Sequence, residues 1–314
     1  MREEIFLQST DGETKLHGFV WKPDGEVKCV LQLVHGMVEY IARYDAFAEY
    51  LSENGIAVIG HDHLGHGQSV TGEDKLGYFA HEDGAGKLIE DMRLVTEEGK
   101  KRYPDVPHFI LGHSMGSFLV RRYLSLYSED VNGAIIMGTG FIPAPIAFVG
   151  KTVAKIDRKF KGEFHRSKTL TALALGSNNK PFEPARTPVD WLSRNEENVD
   201  RYMADPLCGY LFTTSAFVDF FTFIGEDAKK KNVEAIRKDL PILITSGELD
   251  PVGGKKACES LYGQYLKAGL KNVRLKLYPE DRHEILNEVD RKTVYKDLKA
   301  WLEMNEGVKK EYEF

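Results

Sequence analysis

The chain has 314 residues, 42% of them hydrophobic and 29% charged, with a net charge of −6. That length suits one large domain with an insertion better than two independent domains, and the acidic balance carries no nucleic-acid footprint. Three cysteines, Cys29, Cys208 and Cys258, are far apart and odd in number, which excludes a disulfide framework or metal cluster and fits a reducing compartment.

In chain order, the residues predict a hairpin from Ile5 to Ser9 and Lys15 to Trp21, turning at Asp11-Gly12, and then an alternation of strands and helices. Strands are expected near Val30 to Val34, Ile56 to Gly60, Phe109 to Gly112, Gly133 to Met137, Ile242 to Ser246 and Val273 to Leu277. Helices are expected near Ala42 to Asn54, Gly84 to Lys101, Met115 to Tyr127, Lys255 to Ala268 and Val289 to Met304. This pattern predicts an α/β fold, a mostly parallel sheet with helices on both faces. Functional residues on such sheets sit at the carboxyl ends of strands.

The segment Gly112-His113-Ser114-Met115-Gly116 reads G-x-S-x-G between a strand and a helix, the context of a nucleophile elbow. The flanking glycines allow a tight turn, and the helix N-terminus favours a developing oxyanion beside Ser114. A serine nucleophile needs a base, and the base needs an orienting acid. Of the two histidines after the elbow, His283 follows a strand whereas His165 lies in a basic, aperiodic stretch; His283 is the expected base. Asp250, in the loop after the strand at Ile242, is the expected acid, with Glu248 of the same loop as competitor. Val34-His35-Gly36-Met37 ends another strand, and Gly36 permits close backbone approach to a ligand. The backbone N–H groups of Met37 and Met115 are the expected oxyanion donors. His35, Gly36 and His113, which flank the reacting centre, are candidate substrate contacts.

These motifs, with Arg43-Tyr44, with Gly60 through Ser69 (GHDHLGHGQS), and with Leu192-Ser193-Arg194-Asn195, Val199-Asp200 and Asp205-Pro206-Leu207 further on, resemble the monoacylglycerol lipases and lysophospholipases of the serine α/β-hydrolase family. The resemblance spans most of the chain. It implies an α/β-hydrolase fold and hydrolysis of a lipid carboxylic ester through Ser114, His283 and Asp250, without a cofactor. One departure is Ser117, where these lipases usually carry a second glycine.

From Thr139 to Pro241 about a hundred residues intervene, against ~30 for a whole strand–helix–strand unit. We expect residues 1–140 and 225–314 to form the hydrolase core and 141–224 a helical cap. Phe217 and Phe221 are candidate acyl-pocket residues within the cap, since ligand sites are mostly apolar. Lys151, Lys155, Arg158, Lys159, Lys161, Arg166 and Lys168 outnumber Asp157 and Glu163. Such a run is ordinarily a solvated face; with Val153, Ile156 and Phe160 it also has the make-up of a transient membrane-surface contact. His61, His63 and His66 invite a zinc reading, but they sit in a loop of the resembled pattern, and no metal is expected. The N-terminus has acidic residues and no apolar segment, unlike a signal peptide, and no apolar run approaches the ~18 residues of a membrane span. The expectation is a cytoplasmic enzyme whose substrate is a small lipid ester. Three other readings stay open: an esterase for short or aromatic acyl groups, an aminopeptidase of the same fold using Glu183, Asp190, Glu196 or Glu197 for the free amine, and a non-catalytic binding protein.

Overall fold

The computed structural model describes residues 1–307. Its sheet begins with the expected hairpin, β1 (Arg2–Gln8) and β2 (Lys15–Trp21). Next come β3 (Cys29–Val34), α1 (Asp45–Glu53), β4 (Ile56–His61), α2 (Gly84–Arg102), β5 (His108–His113), α3 (Met115–Tyr127) and β6 (Gly133–Met137). After a long insertion the chain returns as β7 (Ile242–Gly247). It ends with one helix before the edge strand β8 (Val273–Tyr278) and one after it.

Strand order is β1-β2-β4-β3-β5-β6-β7-β8. The pairs β1–β2 and β2–β4 are antiparallel and the remaining five are parallel. Strands β3 to β7 are buried along their whole length, as a sheet covered on both faces requires. One covering layer packs α2 and α3 against Val34, Ile110, Ala134 and Ile244. The other packs α1 and the last helix against Leu31, Val58, Phe109 and Leu243. Edge strand β8 exposes both Arg274 and Lys276; charges there discourage pairing with another chain.

The insertion, residues 138–241, contains α4 (Ala144–Lys161), α5 (Lys168–Leu175), α6 (Glu196–Ala204), α7 (Thr214–Asp227) and α8 (Lys230–Ala235). Helix α7 is its centre and is buried on nearly every side, between α4 above and α2 and α3 below. The α4–α7 contact is close because Ala147, Gly150 and Ala154 form the inner stripe of α4. A Cβ on Gly150 would come within 2.5 Å of the Phe221 ring. The start of the insertion and the end of α7 meet one side chain: Arg121 of α3 donates to the Gly140 carbonyl (3.0 Å) and lies 3.7 Å from the Asp227 carboxyl group. After β7, α9 (Gly254–Lys267) and, after β8, α10 (Arg291–Asn305) complete the chain. No described helix is long and apolar enough to cross a membrane.

Candidate active site

The register of the parallel strands sets the site. Val34 pairs with Gly112 and His113 with Met137, so the loops leaving β3 and β5 emerge side by side. Ser114 occupies the sharp turn between β5 and α3 with φ +53° and ψ −120°, a conformation L-residues hold only where the surroundings impose it. The two glycines of the motif are steric requirements. A Cβ on Gly112 would lie 2.2 Å from the Gly116 carbonyl oxygen, and one on Gly116 would lie 2.1 Å from that of Val34. Ser117 is buried, and its hydroxyl donates to the Ser114 carbonyl at 2.6 Å. The departure from a second glycine thus adds a hydrogen bond to the turn.

Asp250, in the loop after β7, accepts His283 Nδ1–H at 3.0 Å. It also accepts the Val252 N–H and the Ser246 hydroxyl, each at 2.9 Å. Burial raises its pKa, but the charge and hydrogen bond of His283 and these two further donors outweigh burial and hold the carboxyl below its ordinary value. Glu248, the competitor, faces Lys255 instead. With Nδ1–H committed to Asp250, the lone pair of the His283 ring lies on Nε2. The acid and histidine loops are packed tightly: a Cβ on Gly247 would lie 2.0 Å from the Asp281 carbonyl oxygen.

Under this pair lies a buried polar network. His113 Nε2 donates to the His283 carbonyl (3.1 Å), and its Nδ1 lies 3.1 Å from the Tyr44 hydroxyl and 3.4 Å from Glu39. Burial lowers the His113 pKa; the bond to Glu39 and its charge outweigh burial and raise it. Glu39 accepts the Gly36 N–H and Arg43, each at 2.6 Å. Burial pushes its carboxyl up, but His113 and the Arg43 charge hold it well below the usual range. Arg43 also makes a two-pronged pair with Glu284, both contacts at 2.8 Å, and Glu284 accepts Asn198 of α6 at 2.7 Å.

A cavity of about 610 Å³ opens over Ser114. Ser114, His283, Gly36, Met37, His113 and Met115 form its base. Its walls include Phe141, Ile146, Val149, Trp191, Phe220 and Phe221 from the insertion. Two expected contacts are corrected. His35 is fully buried away from the cavity, its Nδ1–H held by the Gly36 carbonyl at 2.8 Å and its Nε2 accepting the His63 N–H at 2.9 Å. Phe217 is buried against Phe212 and is not on the cavity wall, whereas Phe220 is. His35, His61, His63 and His66 form one cluster of tilted and edge-on rings, with neighbouring centroids 4.2 to 6.1 Å apart. Burial lowers the pKa of His61 and of His66 to about 3, so these rings are neutral.

Sequence reasoning did not single out Glu39, Glu284 or Trp191. Glu39 and Arg43 stand four apart, a pairing distance on a helical turn, and that was the available signal. Trp191, whose ring centre is 4.9 Å from that of His283, sits in a three-residue 3-10 turn of the insertion, Asp190–Leu192, too short for a periodicity to mark it.

A mostly parallel sheet, a nucleophile elbow after β5 and acid and histidine loops after β7 and β8 define an α/β-hydrolase. Comparisons with known proteins agree. A carboxyl esterase from Bacillus coagulans, solved with glycerol, superposes with a TM-score of 0.88 at 26% identity, over 96% of this chain and 98% of that one. A soluble variant of the Saccharomyces cerevisiae monoglyceride lipase, solved with a substrate analogue, shares the fold at TM-score 0.79 and 21% identity, over 98% and 96%. The family described as serine aminopeptidase, S33, matches residues 25–290, and the chain belongs to it. Among relatives by sequence, the Mycolicibacterium smegmatis monoacylglycerol lipase is 28% identical over 90% of this chain and 91% of its own length. The human monoglyceride lipase is 26% identical over 90% and 84%.

Proposed function

We propose that this serine carboxylic-ester hydrolase acts on lipid monoesters, monoacylglycerol or lysophospholipid, through an acyl-enzyme on Ser114. The observation that carries the reading is a cavity with Ser114 and His283 at its base and apolar walls supplied by the insertion, which acts as a cap. Ser114 Oγ attacks the ester carbonyl while His283 Nε2 takes its proton. Asp250 holds the imidazole and stabilises its charged form. The N–H groups of Met37 and Met115 receive the oxyanion, and such donors are typically worth ~3 kcal/mol each. His283 then protonates the leaving alcohol, and water repeats the cycle on the acyl-enzyme. Protein groups and water suffice for every step.

The aminopeptidase alternative needs a free carboxylate for the substrate amine. Glu183, Asp190, Glu196 and Glu197 do not line the cavity, and among the described residues the two carboxylates that do, Glu39 and Glu284, are both paired with Arg43. This favours esters. The cavity mouth also favours lipid: Ile146, Val149 and Leu173 line the cavity and are exposed on the surface. Exposed Phe148, Ile156 and Phe160 extend that surface along α4, beside Lys155 and Lys159. A contiguous apolar patch with a basic flank fits transient contact with an anionic membrane. Reversing Lys155 and Lys159 to Glu should weaken sedimentation with phosphatidylserine vesicles and leave turnover of a soluble ester unchanged; undiminished sedimentation would sink the membrane contact.

The deciding experiment is hydrolysis of p-nitrophenyl esters from acetate to palmitate beside Ser114→Ala. A maximum at medium or long chains, abolished in the variant, supports the lipid reading. A maximum at acetate or butyrate points to a short-chain esterase, and activity surviving the substitution overturns the nucleophile.

A further inference from the structure

The residue after Met37 has an unusual backbone. Val38 has φ +50°, in the left-handed region where a β-branched side chain is a steric outlier. Such a conformation persists only where its surroundings over-determine it. Val38 is buried, and its carbonyl accepts the Gly209 N–H at 3.0 Å and the Tyr202 hydroxyl at 3.4 Å. Two residues on, the Tyr40 hydroxyl donates to Asp205 Oδ2 at 2.7 Å. The other Asp205 oxygen accepts the Leu207 N–H at 2.9 Å, which fixes the carboxylate. Tyr202, Asp205 and Gly209 all belong to the insertion. Within the loop the Glu39 carboxylate accepts the Gly36 N–H, and that carboxylate is held to the hydrolase core by Arg43, Tyr44 and His113. The Met37 N–H therefore lies between a core anchor and an insertion anchor.

We propose that Tyr202, Asp205 and Gly209 are positioning residues for the oxyanion hole: the insertion holds the strained loop in the form that aims the Met37 N–H, and the hole is complete only while this segment is docked on it. The inference rests on the reading of Ser114 as nucleophile and Met37 as donor. It makes the insertion part of the rate-determining machinery as well as the wall of the acyl pocket. It also accounts for a buried valine at positive φ, which a loop serving only to connect β3 to α1 would have no need to tolerate.

The test uses the full chain, Tyr40→Phe and Asp205→Ala, and a soluble short ester. Neither Tyr40 nor Asp205 lines the cavity. A donor displaced by about 1 Å can cost ~10²-fold, so kcat should fall about tenfold or more with KM nearly unchanged. The fall should be equal for acetate and octanoate esters, and fluorophosphonate labelling of Ser114 should slow by the same factor. Val38→Gly, which relieves the strain because glycine is at ease at positive φ, should restore most of kcat in the Tyr40→Phe background. A change in KM or in chain-length preference without a change in kcat, or a loss of kcat that Val38→Gly does not rescue, overturns the proposal. Failure of the underlying reading looks different: Ser114→Ala would then keep its activity, or the unaltered protein would hydrolyse no ester.

Discussion

The sheet and the insertion dispose of their apolar side chains in opposite ways. Strands β3 to β7 bury every residue, and the helices on either face close over them. Helix α4 buries Ala147, Gly150 and Ala154 and leaves Ile146, Phe148, Val149, Ile156 and Phe160 exposed. A layer buried on both sides can hold Ser114, Asp250 and His283 to tenths of an ångström, because close-packed interiors have nowhere to give. A helix with an unburied apolar stripe beside a cavity mouth keeps surface in reserve for a ligand or a lipid. In the proposed reading the hydrolase core holds the reacting groups, and the insertion supplies the walls that select what they act on.

The largest expected effects fall on the core. Ser114→Ala should remove nearly all ester turnover; loss of a serine nucleophile costs about 10⁶ in kcat in a well-studied protease. Its melting temperature should stay within a few degrees, since one buried-edge oxygen is lost. Asp250→Asn should follow, with kcat lower by about 10⁴ because the amide favours the wrong His283 tautomer. Steady-state kinetics on p-nitrophenyl butyrate separates the two. A mild effect of Asp250→Asn would pass the orienting role to another carboxylate, and Glu248 is the nearest in sequence.

How far the sequence carried the reading differs between the same two regions. Helix α3 and strands β2 and β6 begin and end where the pattern placed them, and the other strands agree within one to three residues. These elements have strong periodicity and sharp glycine or proline punctuation. Ser114, Asp250 and His283 were legible as candidates because each follows a readable strand, and the fold brings His283 against Asp250 and into one cavity with Ser114. The errors share another cause: sequence gives a residue's position along an element, and side-chain direction depends on what packs around it. His35 ends a strand next to the site, yet its ring turns into the histidine cluster. Phe217, Phe220 and Phe221 lie on a helix buried nearly all round, so no amphipathic face marks which of them meets the cavity. Tyr202 and Asp205 matter through contacts with residues more than 160 positions away, for which a single sequence carries no signal.

That ambiguity within α7 gives the next prediction. Phe221→Ala opens the cavity wall and should shift the optimum ester toward longer or bulkier acyl groups by several-fold in kcat/KM. Phe217→Ala removes a ring buried in the core, so it should cost about 3–5 kcal/mol of stability with the chain-length profile unchanged. Urea unfolding beside the ester series distinguishes them. If both variants alter the profile alike, the division between wall and core within α7 is wrong.

The smallest expected effect separates the two regions by pH. Helix α7 carries two buried carboxyls. Burial raises the pKa of Asp227 to about 8 against the partial opposition of Arg121, and that of Asp219 to about 7 against a hydrogen bond from the Ala85 backbone. In the unfolded chain both titrate near 4. A group whose folded pKa is raised gives stability that is complete below the unfolded value and is lost as pH rises through the folded one. The attachment of α7 should therefore loosen between about pH 4 and 8. His61 and His66, lowered to about 3 from an ordinary ~6.5, have the opposite sign. The unfolded chain binds their protons first, so the loop after β4 should weaken as pH falls from about 6.5 toward 3. Hydrogen exchange at pH 5, 7 and 8.5, corrected for intrinsic rates, should show protection lost from α7 at the alkaline end and from residues 61–66 at the acid end. Asp219→Asn with Asp227→Asn should flatten the alkaline arm alone. Simultaneous loss of protection in both regions at either extreme would mean that insertion and core open as one unit. The insertion could then not leave the oxyanion loop while the sheet stays folded.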